Sequence, residues 1–165
     1  MKNIVLIGMP GTGKSTVGNA LAERLNYTFV DLDDNIKEAA GKSLPDILRQ
    51  DGLEAFFKIE EAVGVSVNLE NSIIATGGSV VYGEDAMRHL KDIGTVIYLK
   101  LSYEAIEDRL GDLHARGVTI QPGWTLLDLY NERVPLYEKW ADITVDCEHL
   151  RLREVVEYIR KQVNA

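Results

Sequence analysis

"LIGMPGTGKST", Leu6 to Thr16, is the stretch whose reading decides the fold. It sets three glycines and a proline between an apolar run and a run with helical spacing. A packed core has no use for that much backbone freedom, so the loop is shaped to hold something. Gly8-x-x-x-x-Gly13-Lys14-Ser15 is the phosphate-loop pattern, with an apolar strand before it and a helix after it. Its glycines let successive N–H groups turn inward as a nest for anionic oxygens. The start of the helix adds its dipole at the same point. Gly11, Thr12, Gly13, Lys14, Ser15 and Thr16 are therefore the candidate cofactor-binding residues. Lys14 supplies a mobile cation for the β- and γ-phosphates, and the Ser15 hydroxyl is a magnesium ligand. Thr16 either bonds the α-phosphate or simply starts the helix. The plainer alternative is a glycine-rich turn, but it would need four fixed positions and both flanks to coincide.

Working outward, the pattern alternates. Ile4–Ile7 reads as a strand buried on both faces. Val17, Leu21 and Leu25 share a helix opening near Ser15. Thr28–Val30 is a short strand ending at Asp31. Residues 33–70 are helical in at least two pieces, broken around Gly41 and Pro45, with Phe56, Ile59, Val63 and Val67 on one face. Ser72–Ala75, Thr95–Leu101 and Ile143–Val145 are further strands. Helices are expected over Asp85–Lys91, from Ser102 as cap to Leu110, and over Leu126–Tyr137. Pro135 should kink or end the last of these. Gly111–Trp124 has little periodicity and four glycine or proline residues, so it reads as a mobile loop. A final helix carries Leu152, Val155, Val156, Ile159 and Val163 on one stripe. Strands alternating with helices predict an α/β class, a parallel sheet with helices on both faces, in one domain over residues 1–165.

Bulk properties narrow the function. At 165 residues, 45% hydrophobic and 27% charged, the chain has ordinary globular values. A formal charge of −8 argues against a broad nucleic-acid or anionic-membrane surface. The single cysteine, Cys147, excludes an internal disulfide and fits a reducing compartment. The first apolar run is too short to span a bilayer and lacks the flanks of a signal peptide. A cytoplasmic monomer is expected, acting on a small molecule, with neither nucleic acid nor membrane as partner. His89, His114 and His149 follow no ligand spacing, so no zinc site is expected.

The loop alone does not separate kinase, ATPase and GTPase. No Asn-Lys-x-Asp base-reading motif is present, and the strand "SIIATGG" ends in Thr76 and two glycines rather than in acidic residues. The acidic positions lie instead in "FVDLDD". "GMPGTGKST", "FVDLDDNI", "TGG" and "NERVPLYEKWAD", in that order and spacing, resemble shikimate kinase over nearly the whole chain. The resemblance implies a nucleoside-monophosphate-kinase type of P-loop fold with a five-stranded parallel sheet. In that order the first strand is central, with the third and second on one side and the fourth and fifth on the other. It also implies ATP and Mg2+ as cofactors, a lid over about 111–124 and acceptor-binding helices over about 33–70.

By the same resemblance, Asp31 orders the magnesium shell. Asp33 accepts a hydrogen bond from the attacking hydroxyl, although phosphoryl transfer relies chiefly on positioning and electrostatics. Asp33 or Asp34 as a helix N-cap is the plainer alternative for this pair. Gly77 and Gly78 let the backbone approach the acceptor. Arg133 grips the shikimate carboxylate, a bidentate task suited to a guanidinium. Arg116 swings over the transferring phosphate, or is an exposed loop charge. Arg109 lies against the nucleotide base, or on a solvated helix face.

Three positions depart from the family, all at the acceptor. Phe57 stands where a Phe-Arg-x-x-Glu stretch would place an arginine, so it either widens the core face or gives the acceptor pocket an apolar wall in place of a cation. Lys58 is no obvious substitute, being about 100° away around the helix. Glu60 keeps its place without that partner, adding negative charge or pairing with Arg133. Ser79 replaces a third glycine, and Gly117 follows Arg116 where the family has proline. The expected function is transfer of the ATP γ-phosphoryl group to a hydroxyl of shikimate. The alternatives are a less anionic alcohol or polyol as acceptor, and a nucleotide-binding regulatory module without turnover.

Overall fold

The run ahead of the glycine loop becomes the central strand of a five-stranded parallel sheet. Every residue of β1 (Asn3–Ile7) is buried. It pairs with β3 (Ser72–Ala75) on one side and β4 (Gly94–Lys100) on the other. β2 (Thr28–Asp31) lies outside β3 and β5 (Ile143–Asp146) outside β4, so the order is β2-β3-β1-β4-β5. The structure, a computed structural model, describes residues 2–110 and 118–164. The expected fold class and strand order are those the chain adopts.

Successive side chains of β1 face opposite ways. Ile4 and Leu6 pack with Leu21 of α1 (Lys14–Leu25) and Ile159 of α8 (Leu152–Val163). Val5 and Ile7 belong to the larger core on the other face. That face is covered by α2 (Leu32–Ala40), α3 (Leu44–Gln50), α4 (Leu53–Ser66), α5 (Glu84–Ile93), α6 (Tyr103–Leu110) and α7 (Leu126–Trp140). Each fully buried leucine, isoleucine or phenylalanine here contributes roughly 1.5–3 kcal/mol.

Polar residues set the helix starts. Asp31 caps α2 by accepting from the N–H of Asp33, so the cap is neither Asp33 nor Asp34. Ser43 caps α3, and Ser102 Oγ accepts from Ala105 N–H ahead of α6. Thr125 and Asp128 form a capping box on α7.

Several expectations need correction. Residues 33–70 hold three helices, in keeping with the expected two or more pieces, but Pro45 does not break them: it sits in the first turn of α3, where its missing N–H is no loss. Helix α7 runs through Pro135 to Trp140. The lost ladder bond is outweighed because Tyr137 and Trp140, beyond the proline, are buried. On α4 the buried face is Phe56, Glu60, Val63 and Gly64, with Ile59 only half-buried. Leu152 is exposed rather than on the buried stripe of α8. In the presumed lid, residues 111–117 lie outside the described residues, while Val118 and Thr119 are buried.

Gly18 on α1 shows how closely helix and sheet approach. A Cβ there would stand 2.5 Å from Phe29 Cε1. Gly18→Ala is expected to lower stability by about 1–3 kcal/mol through overpacking, despite alanine's better helix propensity. Urea unfolding of both proteins would check it; an unchanged midpoint would mean that Phe29 moves aside freely.

Candidate active site

β1, β2 and β3 all deliver their carboxyl ends to one cleft of about 320 Å³. Open α/β sheets bind ligands at that edge. The glycine loop forms its floor. Gly8 allows a close approach, since a Cβ there would lie 2.8 Å from Leu99 O, and Gly13 has a φ of 89°, a left-handed conformation that favours glycine. Lys14 Nζ folds back to donate to Gly8 O at 2.7 Å and Met9 O at 2.9 Å. Burial lowers its pKa to about 8, against the opposing pull of Asp33 and Asp31. Gly11, Gly13, Lys14, Ser15 and Thr16 line the cleft. Thr12 does not; its buried hydroxyl donates to Met9 O and braces the loop from behind.

Ser15 and Asp31 meet where a cation could sit. Ser15 Oγ donates to Asp31 Oδ2 at 3.1 Å, and both residues line the cleft. Among the described residues, no group of three or more His, Cys, Asp or Glu is arranged to hold a metal ion by itself. A cation here would lean on phosphate oxygens and water, which suits magnesium, a hard ion that keeps several waters. The donor set fits.

Asp33 lines the same cleft. Burial, then the neighbouring Asp31, raises its carboxyl above the usual aspartate range. Gly77 separates it from Glu60: a Cβ on Gly77 would lie 3.1 Å from Asp33 Oδ1 and 2.8 Å from Glu60 Oε2. Gly78 leaves room for Arg133, whose Nη1 would be 2.9 Å from a Cβ there.

Arg133, only 1% exposed, closes the far end. Its Nη2 donates to Thr119 O at 2.6 Å and Thr119 Oγ1 at 2.7 Å, and its Nε donates to Tyr82 Oη at 3.3 Å. The guanidinium also lies over the Tyr82 ring, 5.3 Å from its centroid. Thr119 and Tyr82 carried no sequence signal, because each acts through Arg133.

Phe57 does not line this cleft; Phe56 does. The Phe57 ring packs on Tyr82 at 5.2 Å between centroids and faces the neighbouring hollows. One residue along α4 turned the expected apolar wall outward. Glu60 makes no ion pair with Arg133; its Oε1 accepts from the buried Ser79 hydroxyl at 2.6 Å. The Ser79 hydroxyl is thus turned to Glu60. Arg109 sits at the rim, its Nη1 donating to Gly11 O at 3.2 Å, and does not line the cleft. Arg116 lies outside the described residues. Burial pushes the Cys147 thiol up to about 11, which makes it a poor nucleophile.

A family model described as shikimate kinase matches residues 10–164. A shikimate kinase of Thermodesulfovibrio yellowstonii is 39% identical over 165 residues, covering 98% of this chain and 95% of that protein. A solved shikimate kinase of Acinetobacter baumannii, in complex with shikimate, superposes with a TM-score of 0.85 at 28% identity, over 99% of this chain and 93% of that one. The Aquifex aeolicus shikimate kinase also gives 0.85, at 33% identity over 98% and 96% of the two chains. A deoxyadenosine kinase of M. mycoides, at 17% identity and a TM-score of 0.62, shares the fold alone.

Proposed function

The chain belongs to the shikimate kinase family, and from that membership we propose how its cleft moves the γ-phosphoryl group of ATP to a hydroxyl of shikimate. The family activity is ATP-dependent phosphotransfer to a hydroxyl, and the chain carries the parts for it. The observation that carries the reading is that one cleft is lined by Gly13, Lys14, Ser15 and Thr16 at one end and by Arg133 at the other, with Asp33 between.

The loop amides and Lys14 bind the phosphate chain. Ser15 and Asp31 would hold magnesium, which supplies charge neutralisation along the phosphates. Asp33 aims the acceptor hydroxyl, and its raised pKa suits it to receive the proton. Gly77 and Gly78 keep the acceptor's space open, and Arg133 binds the acceptor carboxylate. Arg116 keeps the catalytic role that the resemblance gives it, and Arg109 the place beside the base. The helices over residues 33–70 and the lid over about 111–124 belong to one catalytic domain. We place the reaction in the cytoplasm, because the lone free thiol suits a reducing compartment, and on a single chain, because the sequence is acidic and carries no long apolar heptad.

A coupled ADP-release assay with shikimate and a panel of neutral polyols tests this. Shikimate is expected to be the preferred acceptor. Preference for a neutral polyol, or ADP release that no acceptor stimulates, would contradict the reading.

A further inference from the structure

Glu60 is a buried group that the steps above do not use. It is 5% exposed and lines the cleft. Ser79 Oγ occupies its Oε1, while Oε2 is buried and has no hydrogen-bond partner among the described residues. Buried polar atoms are seldom left unpaired, so one that lines a cleft asks for a ligand. Oε2 stands beside Gly77, across from Asp33 Oδ1.

The surrounding charges say what kind of ligand. Arg133 from α7 is the one guanidinium lining the cleft among the described residues, and its Nη2 and Nε already bond Thr119 and Tyr82. Asp33 from α2 and Lys14 from α1 complete the charged groups facing Glu60, with the Tyr82 and Tyr137 hydroxyls nearby. On α4 itself Lys58 is exposed, and the Glu61 carboxyl is turned to Gly83. An acceptor carboxylate has more lone pairs than Arg133 alone can serve.

Resting on the acceptor assignment above, we propose that Glu60 binds the shikimate carboxylate as a neutral acid, donating a hydrogen bond from Oε2. The Ser79 hydroxyl, by donating to Oε1, directs the proton to Oε2. Burial raises the Glu60 pKa to about 7, with Asp33 adding to it and Ser79, Arg133 and Lys14 working against it. The protonated form therefore exists near neutrality. An ionised Glu60 would repel the incoming anion; the neutral acid attracts it. Binding then raises the pKa further, so above neutral pH each acceptor bound takes up a proton from solvent.

The test measures shikimate KM from pH 6 to 9 for the native protein and Glu60→Gln. It is combined with calorimetric shikimate binding in two buffers of different ionisation enthalpy. The native KM is expected to be flat on the acid side and to climb by about tenfold per pH unit above roughly pH 7, with close to one proton taken up. Glu60→Gln keeps an N–H donor but cannot ionise, so its profile should be flat and its binding should take up no proton. Lys14 titrates nearby and feels the Glu60 charge, so the ATP KM followed over the same pH range separates its titration from that of Glu60. Phe57→Arg should flatten the profile as well, by holding Glu60 ionised in an ion pair. A flat native profile, or the same climb in Glu60→Gln, would overturn the role of Glu60 while leaving phosphotransfer to shikimate standing. Neither turnover nor binding of shikimate at any pH would instead overturn the acceptor assignment, and Glu60's role with it.

Discussion

Lys14→Met is expected to lower kcat by about a hundredfold to a thousandfold, the usual loss when a group that stabilises transition-state charge is removed. In the free protein Lys14 Nζ rests on Gly8 O and Met9 O, so it is held over the loop before any nucleotide arrives. Burial brings its pKa down to about 8. Phosphate oxygens replace the surrounding water and favour the charged amine, so the cation is strongest when the donor is bound. Methionine preserves the apolar stem without the charge, and the thermal midpoint should move little. Steady-state kinetics alongside a melting curve separate the two effects. A kcat within about threefold of native, in a folded variant, would show that Lys14 is not where charge develops.

Arg133→Lys is expected to raise the shikimate KM by about tenfold to a hundredfold and leave the ATP KM close to native. The guanidinium serves three partners at once, Thr119 O, Thr119 Oγ1 and Tyr82 Oη, and no ammonium matches that planar fork. Each charge-assisted bond contributes about 1.5–3 kcal/mol. Lysine would keep the charge but lose the geometry. Because Arg133 stands at the opposite end of the cleft from the loop, the two KM values should separate. If both rose together, the substitution would have collapsed the cleft rather than removed an acceptor contact.

The donor half of this site was legible in the sequence for a physical reason. A phosphate nest needs glycines at fixed offsets between a strand and a helix, and such spacing is visible without coordinates. The central strand was equally plain, because burial on both faces leaves an unbroken apolar run. The acceptor half was legible only in part: Asp33, Gly77, Gly78 and Arg133, which line the cleft, carry a motif, while their partners carry none. Glu60 keeps its place in a motif, and its spacing from Phe56 and Val63 sets it on the buried face of α4, but nothing local says what its carboxyl bonds there. Its partner Ser79 comes from the loop after β3, a pairing that no local pattern encodes. Thr119 reaches Arg133 from the stretch read as a mobile loop. Phe57 was placed on the acceptor wall by its offset from a family motif, yet Phe56 takes that wall. Pro135 was read through its lost hydrogen bond, while the burial of Tyr137 and Trp140 decides that helix.

Phosphorus NMR on a mixture of the protein, Mg-ATP and shikimate reads the chemistry without a coupling enzyme. The assembled cleft predicts that the γ-phosphate signal is replaced by that of a phosphate monoester, in step with the appearance of ADP. ATP that persists unchanged, or that decays only to inorganic phosphate, would contradict it.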